Sequence, residues 1–436
     1  MGVAAHWKRI TILLVLAIGA YLPALKLPFI ADDYVLIPIS RIYASEGFTT
    51  LWYSPSLRSR VTAIALNAGL DRMFGFQPMP FYATSILLHA MCVLLIYACC
   101  CWRKLNPTIA FWAACFFAIQ EGHQEAVMWL AAVGDLLILL FGLASWVCWV
   151  KWLENGSWKW YAAALFSLVM ALVSKETAWY FPVLMLFPLC IDRKPSKKEL
   201  LAIAPFFLII GAYVLFTVYS HLLAPGYSDS RFSLSAPWPL VMLNSLWKML
   251  FVWGLVALVI IAWQRQRSDW RNAGIAIAGM AIGIGPYCFL TYMMQVPSRH
   301  TYVASLGLAM LVGTAAHRLI AANRRTLLAV LTVAALAVNV EILWVKKIAQ
   351  YRERAEPSEL LKQATAQAKG PIEVECTPLL EVAVKYVIED SGGKVVFRHP
   401  GANGNPTCFI IEYDDASGKH VRVDRKMGTE KHGAFY

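Results

Sequence analysis

Long apolar runs alternate with short polar joints along most of the chain. Runs near 10–25, 81–101, 126–150, 158–174, 178–191, 200–222, 239–263, 272–294, 302–320 and 326–345 read as membrane spans, for which a helix needs roughly 20 apolar residues. A shorter apolar run occupies 107–119. Lys and Arg gather in the joints: Arg103-Lys104, Lys151 to Lys159, Arg193-Lys194 with Lys197-Lys198, Arg265/Arg267/Arg271, and Arg318 with Arg324-Arg325. Cytoplasmic loops carry such an excess. Placing all five joints inside predicts an inside N-terminus, eleven crossings and an outside C-terminus. The first run lacks a small-x-small cleavage site and is followed by Pro23 and Pro28, so it reads as an uncleaved helix rather than a signal peptide. Residues 61–76 carry Asn67, Asp71 and Arg72 and would reverse every later loop if they crossed. They read as a helix on or dipping into the outer surface, the alternative being that they cross and 107–119 does not.

The pattern changes after Tyr351-Arg-Glu-Arg354. A polar helix over 358–368, a strand at Pro371–Cys376, a helix over 378–389, a Gly392-Gly393 turn and strands at 395–398, 408–413 and 420–423 predict a small α+β module. Two domains result: a transmembrane domain over 1–350, with 26–76 as its first outer loop bearing surface helices, and an extracytoplasmic α+β domain over 351–436. The fold class is thus an all-α polytopic membrane protein with a small α+β C-terminal domain.

Composition agrees. The 436 residues are 59% hydrophobic and 15% charged, with a mean hydropathy of +0.55, whereas soluble domains are about 45–50% apolar and about 25% charged. The net charge of +12 lies in the inter-span joints, so it reports topology and not nucleic-acid binding. Eight of the ten cysteines lie in apolar runs as small filler. In the tail, Cys376 and Cys408 are either a disulfide, as an oxidising exterior would permit, or two unrelated thiols.

With this topology the outer loops collect polar groups: Asp32, Asp33, Arg58 and Arg60, then Glu121, His123 and Glu125, then Lys175-Glu176, and finally Arg299-His300 with Tyr302. Carboxylates and cations on one face suit transfer from a phosphate-linked donor. A carboxylate takes the acceptor's proton, and cations hold the leaving phosphate, Arg in bidentate fashion and Lys as a point charge. Plainer readings stand beside these. Asp32-Asp33 could cap a helix starting near Tyr34, Lys175-Glu176 could be an interfacial ion pair, and His123 could bond a backbone carbonyl. His89 reads as a satisfied interhelical group. Asp135, ten residues past Glu125 and inside a span, requires a partner.

The stretch His123-x-Glu125-Ala-Val-Met-Trp129 followed by Asp135-Leu-Leu resembles the "HPxHxEAVAW…(R)xDLL" region of O-mannosyltransferase-like membrane proteins, within the GT-C glycosyltransferases. Ser174-Lys-Glu-Thr-Ala178 with Pro182 resembles their "SKExAxxxP", and Arg299-His-Thr-Tyr-Val-Ala-Ser-Leu-Gly307 their "RYLYxPSxG". Leu66-Asn67, Phe74-Gly75 and Leu87-Leu-His89-Ala90 follow "LN…FG…LLHA". The chain departs from the pattern at Gln120-Glu121, Val133-Gly134, Ser298 and Ala304, and the α+β tail stands where some relatives carry tetratricopeptide repeats.

The resemblance implies an inverting transfer of a sugar from a polyprenyl-phosphate donor to an acceptor hydroxyl, on protein or glycan, at the outer face of a bacterial inner membrane. It implies Asp32 or Asp33 as base, Glu121, His123 and Glu125 around the acceptor, and Lys175, Arg299, Tyr302 and Arg58 at the donor phosphate. A divalent cation, Mg or Mn, at Asp33 and Glu125 is an option. A transporter of the same lipid-linked sugar and a non-catalytic membrane scaffold remain as alternatives.

Overall fold

The computed structural model of the chain describes residues 3–30, 32–48, 60–190, 195–223, 233, 235–264, 266–289, 294–367, 372–374, 381–397, 407–414 and 419–426. Helix α1 (Val3–Tyr21) leads through a tight turn into α2 (Asp33–Glu46) and, further on, α3 (Val61–Phe74). Helix α4 (Pro78–Ala98) and α5 (Pro107–Ile119) each begin at a proline, whose missing N–H costs nothing in the first turn. Asn106 caps α5, its side-chain oxygen accepting the Thr108 N–H at 2.8 Å. The short α6 (Gln124–Met128) precedes α7 (Val133–Asn155), which turns at Gly156 (φ +67) to pack back as α8 (Trp158–Leu172). Short helices α9 (Phe181–Met185) and α10 (Phe187–Cys190) follow, then α11 (Lys197–Leu223), α12 (Trp238–Leu250), α13 (Trp253–Gln264), α14 (Arg267–Ile284), α15 (Ser298–Thr301), α16 (Ser305–Ala321) and α17 (Arg325–Glu341).

Six of the described helical stretches are long and apolar enough to cross a membrane: His6–Lys26, Pro78–Cys101, Leu130–Asn155, Lys197–Tyr219, Ser268–Phe289 and Arg325–Gln367. Three expected spans are interrupted. The 239–263 run is the pair α12 and α13, bent by 76° about Val252, a β-branched residue at φ +66. The 178–191 run is a 3-10 turn (Glu176–Tyr180) followed by α9 and α10, because Pro182 and Pro188 each remove a helical donor. The 126–150 run becomes helical in earnest only at Val133, after an extended Trp129.

Small residues allow the helices to approach closely. A Cβ at Gly307 would meet the Ala276 carbonyl, and one at Gly313 the Ile109 carbonyl, so α16 lies against α14 and α5 along its glycine face. Helix α3 has 14 residues, about 21 Å at 1.5 Å each, against a hydrocarbon core of about 30 Å. It pairs with α2, the Arg41 guanidinium donating to both Asp71 oxygens at 2.7 and 2.8 Å.

Past 350 the expected domain boundary falls inside continuous helix. Helix α17 passes through a π turn (Ile342–Lys347) into α18 (Ile348–Gln367). Then come β1 (Ile372–Val374), α19 (Glu381–Asp390), a turn at Gly392 (φ +78) and β2 (Val395–Phe397), which pairs in parallel with β1. An antiparallel hairpin of β3 (Thr407–Asp414) and β4 (Lys419–Lys426) ends the described chain. Helix α19 packs on α18 and α2, bringing this part of the tail against the segment that follows α1. Cys376 lies outside the described residues.

Candidate active site

The α6–α7 junction is the centre of the site. Trp129 breaks out of α6, and Leu130–Ala132 form a 3-10 turn before α7. The first N–H groups of a helical segment have no partner within it. Asp33 supplies one from the start of α2: its Oδ1 accepts the Ala131 N–H at 3.0 Å and its Oδ2 the Ile30 N–H at 3.1 Å. Asp33 is fully buried while Asp32 is half-buried. Burial pushes the Asp33 carboxyl up to about 8, with the neighbouring Asp32 charge adding to the effect and the two amides opposing it.

One turn further on, Asp135 has the partner its position demands. The Lys175 ammonium donates to both of its oxygens at 2.8 Å, with the Lys175 side chain 11% exposed and that of Asp135 1%. Lys175 Nζ also lies 3.3 Å from His300 Nδ1, and the His300 ring stacks on Tyr287 at 4.2 Å. Burial, reinforced by the Lys175 charge, pushes His300 down to about 4, so its ring is neutral and accepts from the ammonium. Burial also lowers Lys175, against the pull of Asp135. Beside it Glu176 meets Arg60 at 3.2 Å. Burial opposes ionisation of Glu176, but the charges of Arg60 and Lys175 outweigh it and hold the carboxyl down at about 2. The N-terminus of α3 is stitched to the same segment, Thr62 donating its N–H to the Val173 carbonyl at 3.1 Å and lying 2.7 Å from the Ser174 hydroxyl.

Arg299 comes to the junction from the other side, its guanidinium 4.9 Å over the Trp129 ring. Its backbone N–H donates to Glu125 Oε2 at 3.0 Å. Among the described residues no carboxylate forms an ion pair with the Arg299 guanidinium. Burial works against the Glu125 charge, yet the Arg299 N–H, the Ser298 hydroxyl and the charges of Arg299 and Arg354 hold its carboxyl below the usual range. Residues 129–135 thus tie together Asp33, Arg299 and the Lys175 pair.

Other expected site residues do not converge there. His123 is fully buried, its Nε2 2.6 Å from Ser305 Oγ. Ser305 donates its own proton to the Tyr302 carbonyl, so it accepts from His123 Nε2–H and leaves Nδ1 as a buried orphan. Burial and His89 push His123 well below its ordinary value, which keeps the ring neutral. Tyr302, expected beside the donor phosphate, is fully buried with its hydroxyl 2.8 Å from His89 Nδ1. His89 Nε2 faces the Ala118 carbonyl at 3.2 Å and must donate to it, so Nδ1 accepts the Tyr302 proton. That proton is therefore committed to His89, and the Tyr302 ring lies in a buried cluster with Phe117 and His123. Glu121 presents its backbone N–H to Asn339 Oδ1 at 2.9 Å. Arg58 lies outside the described residues.

A cation at Asp33 and Glu125 does not fit the donor set. Glu125 faces the cations Arg299 and Arg354, which oppose a second positive charge there, and among the described residues no group of three His, Cys, Asp or Glu side chains converges to hold a metal. Sequence reasoning flagged that Asp135 needed a partner but did not identify Lys175. It also missed the Ala131 amide, and nothing in the local pattern marks Asn339, Tyr351 or Arg354, which approach the 121–125 loop from the last long helix.

Residues 63–222 match the family described as dolichyl-phosphate-mannose-protein mannosyltransferase. The fold is similar to the crystal structure of ArnT from Cupriavidus metallidurans bound to undecaprenyl phosphate, with a TM-score of 0.53, 12% identity, and 90% of this chain and 86% of that chain covered. No curated protein sequence matches. The chain is a multi-pass membrane protein whose fold is similar to that of ArnT, and its residues 63–222 are similar to the dolichyl-phosphate-mannose-protein mannosyltransferases.

Proposed function

We propose that the protein transfers a sugar, with inversion, from a polyprenyl-phosphate donor to an acceptor hydroxyl at the outer face of a bacterial inner membrane. The observation that carries this reading is the seven-residue junction 129–135, which meets the buried Asp33 carboxylate, the Arg299 guanidinium and the Lys175–Asp135 pair. Asp33 is the general base. Each of its oxygens keeps a lone pair beyond the amide it accepts, and an ionisation near neutrality suits proton abstraction. The half-buried Asp32 beside it orients the acceptor.

Arg299 holds the donor phosphate. Its planar fork matches two phosphate oxygens, and stacking on Trp129 fixes the plane. Lys175, committed to Asp135, acts on the phosphate through the field of a nearly neutral pair, so it contributes less than Arg299. The likeness of the fold to a structure holding undecaprenyl phosphate supports a lipid-linked donor.

The test is donor consumption by the purified protein with polyprenyl-phosphate sugars, comparing wild type with Asp33→Asn and Asp32→Asn. Loss of turnover in Asp33→Asn with donor binding retained is expected. Equal turnover in both variants and wild type would remove the base assignment, and donor binding without consumption in wild type would favour a transporter.

A further inference from the structure

The last long helix touches the 121–125 loop at three places, Asn339, Tyr351 and Arg354. Asn339 Oδ1 accepts the Glu121 N–H at 2.9 Å, while its Nδ2 donates to the Ala335 carbonyl, which fixes the amide orientation. The Tyr351 hydroxyl donates to the Gln124 carbonyl at 3.4 Å. Arg354 lies 3.8 Å from Glu125 Oε1, the carboxylate whose other oxygen holds the Arg299 N–H.

A regular α-helix cannot present all three to one loop. At about 100° per residue, Tyr351 would stand about 120° and Arg354 about 60° from Asn339 around the axis. Between them lies the π turn Ile342–Lys347. A π turn absorbs one extra residue, so the later side chains rotate back by about one residue's angle. Tyr351 then falls about 20° and Arg354 about 40° to either side of Asn339. The turn is anchored by Trp344 Nε1, which donates to the Ala20 carbonyl at 3.0 Å.

We infer that the π turn sets the phase of this helix so that Asn339, Tyr351 and Arg354 clamp the 121–125 loop, with Arg354 positioning Arg299 through Glu125. None of the three touches a reacting atom, so they are positioning residues. The part played by Arg299 rests on the donor-phosphate reading above, whereas the clamp itself does not.

Hydrogen exchange and ligand binding on the full chain separate the two. Asn339→Ala and Arg354→Gln should each speed amide exchange in 121–125 by about tenfold, the equivalent of about 1.4 kcal/mol, with exchange in α4 and α7 unchanged. Arg354→Gln should weaken binding of undecaprenyl phosphate by a similar factor, and Arg354→Lys, which keeps the charge, should restore most of it. Deleting the exposed Val345 should reproduce both exchange effects together by returning the helix to α phase. Unchanged exchange in both substitution variants overturns the clamp. Faster exchange with unchanged undecaprenyl phosphate binding overturns the link to Arg299. If wild type itself binds no undecaprenyl phosphate while the exchange pattern holds, the donor reading fails and the clamp stands.

Discussion

Replacing Asp33 by Asn tests the chemistry where structure and mechanism meet. Burial raises the carboxyl to about 8, so one-proton titration leaves about half of it ionised at pH 8 and about one part in a hundred at pH 6. If Asp33 takes the acceptor's proton, turnover should fall about tenfold per pH unit below that point, with donor binding unaffected. Asp33→Asn should lose about 10²–10⁴-fold in turnover and abolish this limb. The variant also points one N–H at a neighbouring amide donor, Ala131 or Ile30, a mismatch costing about 1–3 kcal/mol. Its folding must therefore be followed alongside its activity. The stability dependence has the opposite sign to the activity. A carboxyl whose folded-state value is raised contributes stability that is complete below about pH 4 and is lost as the pH rises towards about 8. Wild type should therefore lose more thermal stability than Asp33→Asn as the pH rises from acidic to about 8. The assay is donor consumption and melting temperature measured across the same pH series. A flat wild-type turnover profile, or a limb that survives in Asp33→Asn, refutes the base assignment.

Lys175→Met strands the buried Asp135 carboxylate and should cost about 3–5 kcal/mol in stability, while the double variant Lys175→Met/Asp135→Leu recovers most of it. Equal melting temperatures for the single and double variants would mean that the pair is not what holds Asp135. Arg299→Lys loses the Trp129 stacking, about 0.5–2 kcal/mol, and should weaken polyprenyl-phosphate binding by about 2- to 30-fold, as read by titration calorimetry. Binding equal to wild type would place the phosphate elsewhere. Glu176, held at about 2, contributes stability that is present above the ordinary carboxylate range and lost as the pH falls towards that value. Arg60→Gln should shift acid unfolding to higher pH, by a small amount because both side chains are about one-third exposed. An unmoved acid midpoint would show that the Arg60 charge is screened out.

The membrane character was legible in the residues because helix formation and lipid burial are decided locally. An apolar run satisfies its own backbone hydrogen bonds whatever its neighbours do, and α4, α11 and α17 fall where the runs do. The tail was legible for a similar reason: period-two patterns gave β1 to β4, and Gly392-Gly393 gave the turn before β2. Asp135 announced a need without naming its answer, since a charge inside a span must be paired but Lys175 lies 40 residues away. Tertiary packing decided which cation answered Asp135, that Tyr302 turns inward to His89, and that Asp33 closes the α6–α7 turn. It also decided the helix phase past the π turn, since one residue absorbed in a turn leaves no mark on composition yet rotates every later side chain. Local pattern fixes which segments are helical. The distances between their charged groups depend on how the helices cross, and those crossings are set by contacts between residues far apart in the chain.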